Sequence, residues 1–245
     1  MTDPALDPAD PAEAVTGPVA PAPTRPPRPT LGWPELVVAA LSYVVLQIGL
    51  FLPIGLLSEG TPPAPALVAV SGLSALGAVA IAVALRVRSP AAVGLVRPGA
   101  RLVALGVGLG VLVWLLSRVL IVVYVVVTGD TSDPQAALTL FSGPVAAALV
   151  VAIGGLVVPL GEELLFRGLA YPVLRRLGRV AAVVLTAAVF ALAHGLNVVF
   201  AAAFLLGVVN AVLYARTGSI WPAVAAHATF NLISFVLVLA VGGQV

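Results

Sequence analysis

The chain alternates between long apolar runs and short breaks that contain polar residues, Pro or Gly. About 20 apolar residues in a helix are enough to cross the hydrocarbon core of a bilayer. Seven runs approach or exceed this length. They are 36–57, 65–85, 102–127, 144–170, 180–196, 198–215 and 219–241. The pattern therefore predicts an all-α fold, a polytopic transmembrane helical bundle with about seven spans.

The fifth and sixth runs are short and are separated only by a predicted turn at Gly195–Asn197. An eighth span or a re-entrant segment therefore stays open as the alternative. No internal repeat is visible, which argues against a transporter built from inverted repeats.

Composition agrees with a membrane protein. Hydrophobic residues make up 61% of the 245 residues and charged residues only 9%, against about 45–50% and 25% in soluble domains. The chain contains no Cys, which excludes disulfides and thiolate metal sites. All twelve basic residues are Arg in short groups, so there is no basic stripe for nucleic acid and the lipid bilayer is the expected surrounding.

The chain divides into three parts. Residues 1–34 contain ten prolines and four acidic residues, which predicts a disordered Pro-rich tail. Residues 35–143 form the N-terminal transmembrane helices. Residues 144–241 form a transmembrane core that contains most of the ionisable groups at membrane depth.

The distribution of Arg predicts the orientation. Every second connection is basic, and the intervening loops contain Glu59, Asp130 and Asp133 without any Arg. The positive-inside rule then puts the N-terminus in the cytoplasm. The expected location is the cell membrane of a bacterium, as a multi-pass protein.

A few ionisable or amide side chains fall inside the spans, where each needs a partner or a function. They are Arg118, Glu162, Glu163, Arg167, His194, His227 and Asn231. For Arg118 we expect a structural role, either snorkelling outward or pairing with Asp130 or Asp133. Contact with a substrate carboxylate is the alternative.

Helical geometry puts the other groups at one depth. Measured from the nearest basic loop, Glu162 lies about 20 Å deep and His194 about 22 Å deep. On the same scale His227 lies about 16 Å deep and Asn231 about 22 Å deep. The sequence therefore predicts one buried polar cluster that is reached from the cytoplasmic side.

The motif GEELLFRG separates the roles of its two carboxylates. Glu163 and Arg167 are four residues apart and share a helical face, so we expect them to pair. Glu162 is rotated by about 100° and has no such local partner. Glu162 is thus the candidate general base, and Glu163 with Arg167 is expected to hold it in place. A buried structural ion pair is the alternative for this motif alone.

Two further motifs place an aromatic ring, imidazoles and a carboxamide at helical spacing. Phe190 and His194 are four residues apart in FALAHG, which predicts a ring stacked beneath an imidazole. His227 and Asn231 have the same spacing in HATFN, and together they suit a metal, a water or a developing oxyanion. Hydrogen bonding between helices is the simpler alternative for each.

These residues suit hydrolysis by an activated water in two ways. In one, Zn²⁺ is bound by His194, His227 and Glu162, and activates the water. In the other, no metal is needed: Glu162 and His194 polarise the water while His227 and Asn231 stabilise the oxyanion. A tightly coordinated Glu162 would be a poor base, which slightly favours the metal-free arrangement.

At these residues the sequence resembles the CPBP family of intramembrane proteases, which includes type II CAAX prenyl endopeptidases and bacterial proteins linked to bacteriocin immunity. The family pattern of EExxxR, FxxxH and HxxxN reads here as Glu162 to Arg167, Phe190 to His194, and His227 to Asn231. The resemblance covers residues 144–241. It implies a helical membrane protease, conventionally called a metalloprotease, with a cavity open to the cytoplasm and Glu162 as the water activator.

The resemblance does not fix the substrate, and for a bacterial member we expect a peptide such as a bacteriocin or a membrane protein. Prenylated CAAX proteins are not expected, because the Arg-only, Ala-rich, Val-rich and Gly-rich composition is typical of a GC-rich bacterium. Two alternatives to an endopeptidase stay open. One is a non-catalytic peptide-binding or immunity protein that uses the same cavity, and the other is a small transporter.

Overall fold

The computed structural model describes residues 30–58, 61–132 and 143–242. Within these ranges the chain forms seven helices and no strand, so the predicted all-α bundle is confirmed. The helices are α1 (Trp33–Leu57), α2 (Ala64–Leu85), α3 (Ala100–Thr128), α4 (Pro144–Leu177), α5 (Arg179–Ala193), α6 (Phe200–Thr217) and α7 (Trp221–Gly242). A short 3-10 turn, Pro90–Val93, lies between α2 and α3.

Six of these helices are long and apolar enough to cross a membrane, and α5 is shorter. The predicted fifth span, 180–196, is wrong at its C-terminal end because α5 stops at Ala193. The predicted turn ends the helix. Gly195 adopts a φ of +92°, and the Asn197 amide donates a 2.8 Å hydrogen bond to the carbonyl of His194.

Helix α4 is the centre of the bundle and packs against α1, α2, α5, α6 and α7. It runs seven residues beyond the predicted end at residue 170, and it is not a regular α-helix. Two π-helical stretches, Ile153–Val157 and Leu164–Ala170, interrupt it. Such stretches are frequent at functional sites, and the Glu162–Glu163 pair ends the short α-helical segment between them.

Small residues allow the helices to approach closely. A methyl group added at Gly110 on α3 would collide with the carbonyl oxygen of Ala226 on α7. At Gly161 on α4, an added Cβ would lie 2.8 Å from the carbonyl oxygen of Gly72 on α2. Close backbone contact of this kind is a main source of helix association in membranes, where apolar side chains gain little by leaving lipid.

Polar contacts tie the start of α1 to the rest of the bundle. Glu35 accepts a 2.7 Å hydrogen bond from the amide of Gly32 and pairs with Arg86 at the end of α2, at 2.6 Å. Arg176 donates to the carbonyl of Leu31 at 2.9 Å. Residues 1–29 of the predicted tail, and Glu59 and Asp133 of the predicted acidic loops, lie outside the described residues.

Arg118 on α3 does not pair with Asp130. Its guanidinium lies 5.1 Å from the ring centre of Trp114 and donates to the hydroxyl of Ser117 at 3.2 Å. Asp130 instead accepts hydrogen bonds from Ser132 and Tyr124. These bonds lower the pKa of its carboxyl, and the bonds from Ser132 have the larger effect. Asp133, the other expected partner of Arg118, lies outside the described residues.

Candidate active site

Glu163 on α4 is the hub of a buried polar cluster. Its Oε1 accepts hydrogen bonds from Arg167 Nη1 at 3.1 Å, from Asn210 Nδ2 at 2.8 Å and from His227 Nδ1 at 2.9 Å. The three donors come from α4, α6 and α7, and Glu163 itself is fully buried. The predicted pairing of Glu163 with Arg167 is therefore confirmed.

Arg167 is also fully buried; both of its terminal nitrogens donate hydrogen bonds, whereas its Nε has no partner among the described residues. Besides Glu163, its Nη2 donates a 2.8 Å hydrogen bond to the carbonyl of Gly207 on α6. Its guanidinium carbon lies 4.9 Å from the ring centre of Phe190. Arg167 and Glu163 neutralise each other, so the pair adds no net charge to the cluster.

Glu162 differs from its neighbour, as the motif predicts. Its Oε1 is 3.5 Å from the hydroxyl of Ser71 on α2, which donates to it. Its Oε2 is buried and has no hydrogen-bond partner among the described residues. That oxygen lies 3.8 Å from Nε2 of His227. Glu162 thus has no cation in direct contact and keeps one carboxylate oxygen free for a ligand.

His227 on α7 links the two carboxylates. Because the carboxylate of Glu163 can only accept, the hydrogen on the 2.9 Å contact belongs to His227 Nδ1. In the neutral imidazole this leaves Nε2 as the acceptor nitrogen, and Nε2 faces Oε2 of Glu162. In the protonated ring Nε2 also carries a hydrogen and can donate.

The ring of Phe190 on α5 contacts both imidazoles. Its ring centre lies 4.7 Å from that of His194 and 5.6 Å from that of His227. The predicted contact between Phe190 and His194 is confirmed, but the predicted stacking is wrong because the two ring planes are inclined by 52°. His194 donates from Nδ1 to the carbonyl of Phe190 at 2.8 Å, so its Nε2 stays available as an acceptor. His194 is half-buried, at the end of α5.

Asn231 follows His227 by one turn of α7, and both side chains contact α4. Its carboxamide, however, bonds to the backbone and not to the carboxylates: Nδ2 donates to the carbonyl of Gly154 at 2.9 Å. A carboxamide carries two N–H groups, so one remains for another acceptor. The prediction that Asn231 serves an oxyanion stays a prediction.

Sequence reasoning missed two polar residues that contact the cluster. Asn210 on α6 is fully buried and bonds to Glu163, and Ser71 on α2 bonds to Glu162. The Ser71 hydroxyl also neighbours the hydroxyl of Tyr43 on α1, which accepts a 3.1 Å hydrogen bond from Gln47. The sequence feature that could have indicated Asn210 is its carboxamide, which stands alone in the apolar run of α6.

The candidate zinc ligands His194, His227 and Glu162 do not converge on one point. In the described part of the chain, no three His, Cys, Asp or Glu side chains are grouped so that they could hold a metal ion. The Nδ1 bonds of His227 and His194 leave both Nε2 atoms free, so it is the grouping of the three side chains, and not the state of their donor atoms, that departs from a metal site. A catalytic zinc site uses three protein ligands, and these residues do not fit that requirement.

The fold and the cluster together define a multi-pass helical membrane protein with carboxylate, imidazole and guanidinium groups buried between its helices. Residues 144–233 match the Rce1-like family model, described as type II CAAX prenyl endopeptidase Rce1-like. This part of the chain is therefore similar to the Rce1-like family, and the similarity is consistent with the CPBP family. At the level of the family, the match supports a CAAX-protease-like intramembrane endopeptidase. The chain matches no curated protein and no solved structure.

Proposed function

We propose that this protein is an intramembrane endopeptidase that hydrolyses a peptide bond with a water activated by Glu162. The observation that supports this most directly is the contrast between the two carboxylates. Glu163 accepts hydrogen bonds from three donors. Oε2 of Glu162, in contrast, has no hydrogen-bond partner within the described chain and lies 3.8 Å from His227 Nε2. A base must have such a free oxygen within reach of the proton that it takes.

In the proposed reaction, Glu162 takes a proton from water, and the water oxygen attacks the carbonyl carbon of the scissile peptide bond. The negative charge that develops on the carbonyl oxygen is stabilised by a hydrogen bond from His227 Nε2 when His227 is protonated. The C–N bond then breaks, and the proton on Glu162 passes to the leaving nitrogen. The products are a carboxylic acid and an amine, which together contain the atoms of the peptide bond and of one water.

Glu163 has a supporting role in this reaction. A carboxylate bonded to one imidazole nitrogen orients the ring and stabilises the imidazolium, as the Asp of a Ser-His-Asp triad does. The 2.9 Å contact between Glu163 and His227 Nδ1 suits that role. His194 is proposed to hold the attacking water through its free Nε2, and Asn231 to donate its second N–H to the oxyanion.

No step of this mechanism passes through a metal, because the candidate ligands do not fit a three-ligand zinc site. Cleavage is therefore expected to persist when the purified protein is treated with EDTA or 1,10-phenanthroline. Loss of cleavage that returns with added Zn²⁺ would contradict the Glu-dependent mechanism and favour a metalloprotease.

The proposed partners are a peptide or membrane-protein substrate and the surrounding bilayer. We place the protein in the cell membrane of a bacterium, with the N-terminus and the cavity on the cytoplasmic side, because of the Arg distribution. A farnesylated CAAX peptide and the same peptide without its prenyl group test the substrate class. We expect no preference for the farnesylated peptide, and cleavage of the farnesylated form alone would contradict this expectation.

The decisive experiment compares peptide termini across the host membrane proteome. Cells express either the wild type, Glu162→Gln, or Glu35→Gln, which makes the same change at a buried carboxylate far along the chain from the cluster. Defined termini are expected with the wild type and with Glu35→Gln, and they should disappear with Glu162→Gln. If Glu162→Gln changes no terminus, the non-catalytic peptide-binding or bacteriocin-immunity function replaces the endopeptidase.

A further inference from the structure

Asn210 is the member of the cluster that comes from α6, a helix with none of the three sequence motifs. We propose that Asn210 is a positioning residue, which holds the carboxylate of Glu163 and thereby sets the orientation and tautomer of His227. The proposed effect on catalysis rests on the proposed function, whereas the effect on His227 does not.

The three donors to Glu163 converge on one oxygen. Arg167, Asn210 and His227 all bond to Oε1, and Oε2 has no partner among the described residues. The rotation of this carboxylate is therefore determined by the directions from which the donors approach. If Asn210 no longer donates, the carboxylate is held from α4 and α7 only and can rotate toward Arg167. The bond to His227 Nδ1 then lengthens.

Helix α6 is well suited to fix the position of Asn210. Gly207, one turn earlier, accepts the 2.8 Å hydrogen bond from Arg167, so α6 contacts both members of the ion pair. On its other side Gly207 packs against α5, where an added Cβ would lie 2.9 Å from Cα of Ala187. Asn210 is thus attached to a helix that is in close backbone contact with its neighbour and is tied to α4.

The way in which Asn210 is bonded argues for positioning over simple packing. Its Nδ2 makes a 2.8 Å bond to Glu163, but its Oδ1 is buried and has no partner among the described residues. A buried acceptor without a partner is costly, and an apolar residue of the same size would avoid that cost. What an apolar residue would lose is the donor to Glu163.

The protein offers a direct readout because it contains only two histidines. Labelling with [¹⁵N]histidine therefore yields signals from His194 and His227 alone. In the wild type, each imidazole is expected to show a hydrogen-bonded Nδ1–H, on Phe190 and on Glu163 respectively. In Asn210→Leu, which keeps the number and branching of the side-chain heavy atoms and removes the donor, we expect the His227 Nδ1–H signal to shift or disappear while the His194 signals stay in place.

Three further variants make the result decisive. Glu163→Gln should perturb His227 and identifies its signals. Thr186→Val removes a buried hydroxyl that bonds only to the backbone of its own helix, and it should move neither histidine. Asn210→Ala removes the same donor without any risk of overpacking, and it decides the question if Asn210→Leu does not fold. Unchanged His227 signals in a folded Asn210 variant would overturn the proposal.

Catalysis is a separate arm of the same test. On a peptide that the wild type cleaves, Asn210→Leu should lower kcat by about 10-fold to 100-fold, the range for a lost hydrogen bond to a charged group. KM should stay close to the wild-type value because Asn210 is buried behind Glu163. If the wild type cleaves nothing but His227 still responds to Asn210→Leu, the proposed function fails and the positioning role stands.

Discussion

The carboxamide of Asn231 donates a 2.9 Å hydrogen bond to the carbonyl oxygen of Gly154. The reason lies in the local geometry of α4. In this π-helical stretch each amide bonds to the carbonyl five residues before it, as Val158 does to Ile153. The matching donor for Gly154 would come from Pro159, which has no N–H. Asn231 therefore replaces a backbone donor that proline has removed.

Replacement of Asn231 should show how far the stability of the protein depends on its hydrogen bond to Gly154. In Asn231→Leu the carbonyl of Gly154 is left buried without a donor, which should lower the free energy of unfolding by about 1–3 kcal/mol. Pro159→Ala supplies an N–H at the position that can bond to Gly154, so the loss caused by Asn231→Leu should be smaller in the Pro159→Ala background. Reversible unfolding in mixed micelles measures all four proteins. Equal losses in both backgrounds would contradict the explanation.

The contact between α3 and α7 predicts a contrast between two glycines on one helix. Gly110→Ala forces a methyl group against the carbonyl of Ala226 and should destabilise the protein by about 1–3 kcal/mol, the usual cost of overpacking. Gly108→Ala on the same helix meets nothing within 4 Å. Because Ala also favours helix more than Gly does, Gly108→Ala should leave the thermal midpoint unchanged or raise it. Similar thermal midpoints for Gly110→Ala and Gly108→Ala would show that α3 and α7 can move apart without a loss of stability.

The buried ion pair predicts a strongly non-additive double-mutant cycle. Arg167→Met leaves the carboxylate of Glu163 buried without its cation, which should cost about 3–5 kcal/mol of unfolding free energy. Glu163→Gln in the same chain removes the unpaired charge and should recover a large part of that loss. Unfolding in mixed micelles again provides the measurement. Additive losses would mean that the two residues do not interact energetically.

Two serines on α2 should separate activity from stability. Ser71 donates a long hydrogen bond to the proposed base, so Ser71→Ala should lower the cleavage rate by about 2-fold to 10-fold. Ser74, three residues later, is buried and its hydroxyl has no partner among the described residues. Ser74→Ala should therefore keep the wild-type rate and leave stability equal or higher. The cleavage rate is measured on a peptide that contains a site identified by the comparison of peptide termini. Equal cleavage rates for Ser71→Ala and Ser74→Ala would exclude a role for Ser71.

Much of the fold follows from the hydrophobic pattern because each span must satisfy its own backbone in lipid. Seven apolar runs became seven helices, and most boundaries agree within a few residues. The exceptions have local causes. Helix α5 stops early where Asn197 bonds to the carbonyl of His194, and α4 includes two π-helical stretches that hydrophobicity cannot reveal, since it is the same for an α-turn and a π-turn.

The site was predictable to the extent that it depends on spacing along one helix. The pairing of Glu163 with Arg167 and the contact of Phe190 with His194 both follow from a separation of four residues. The contribution of Asn210 could not be read in this way, because its partner lies 47 residues away and a lone carboxamide in a span has many ordinary uses.

The sequence by itself determined that the chain is a helical membrane protein. It also identified the ionisable residues that lie inside the spans and therefore need a partner. Only the tertiary structure decided which atoms of these residues meet. The 2.9 Å bond from His227 to Glu163, and not to Glu162, depends on how α7 is rotated and how deep it lies against α4. That arrangement is set by glycine contacts, π-turns and buried hydrogen bonds between helices. These interactions act across the bundle, so no pattern along a single segment contains them.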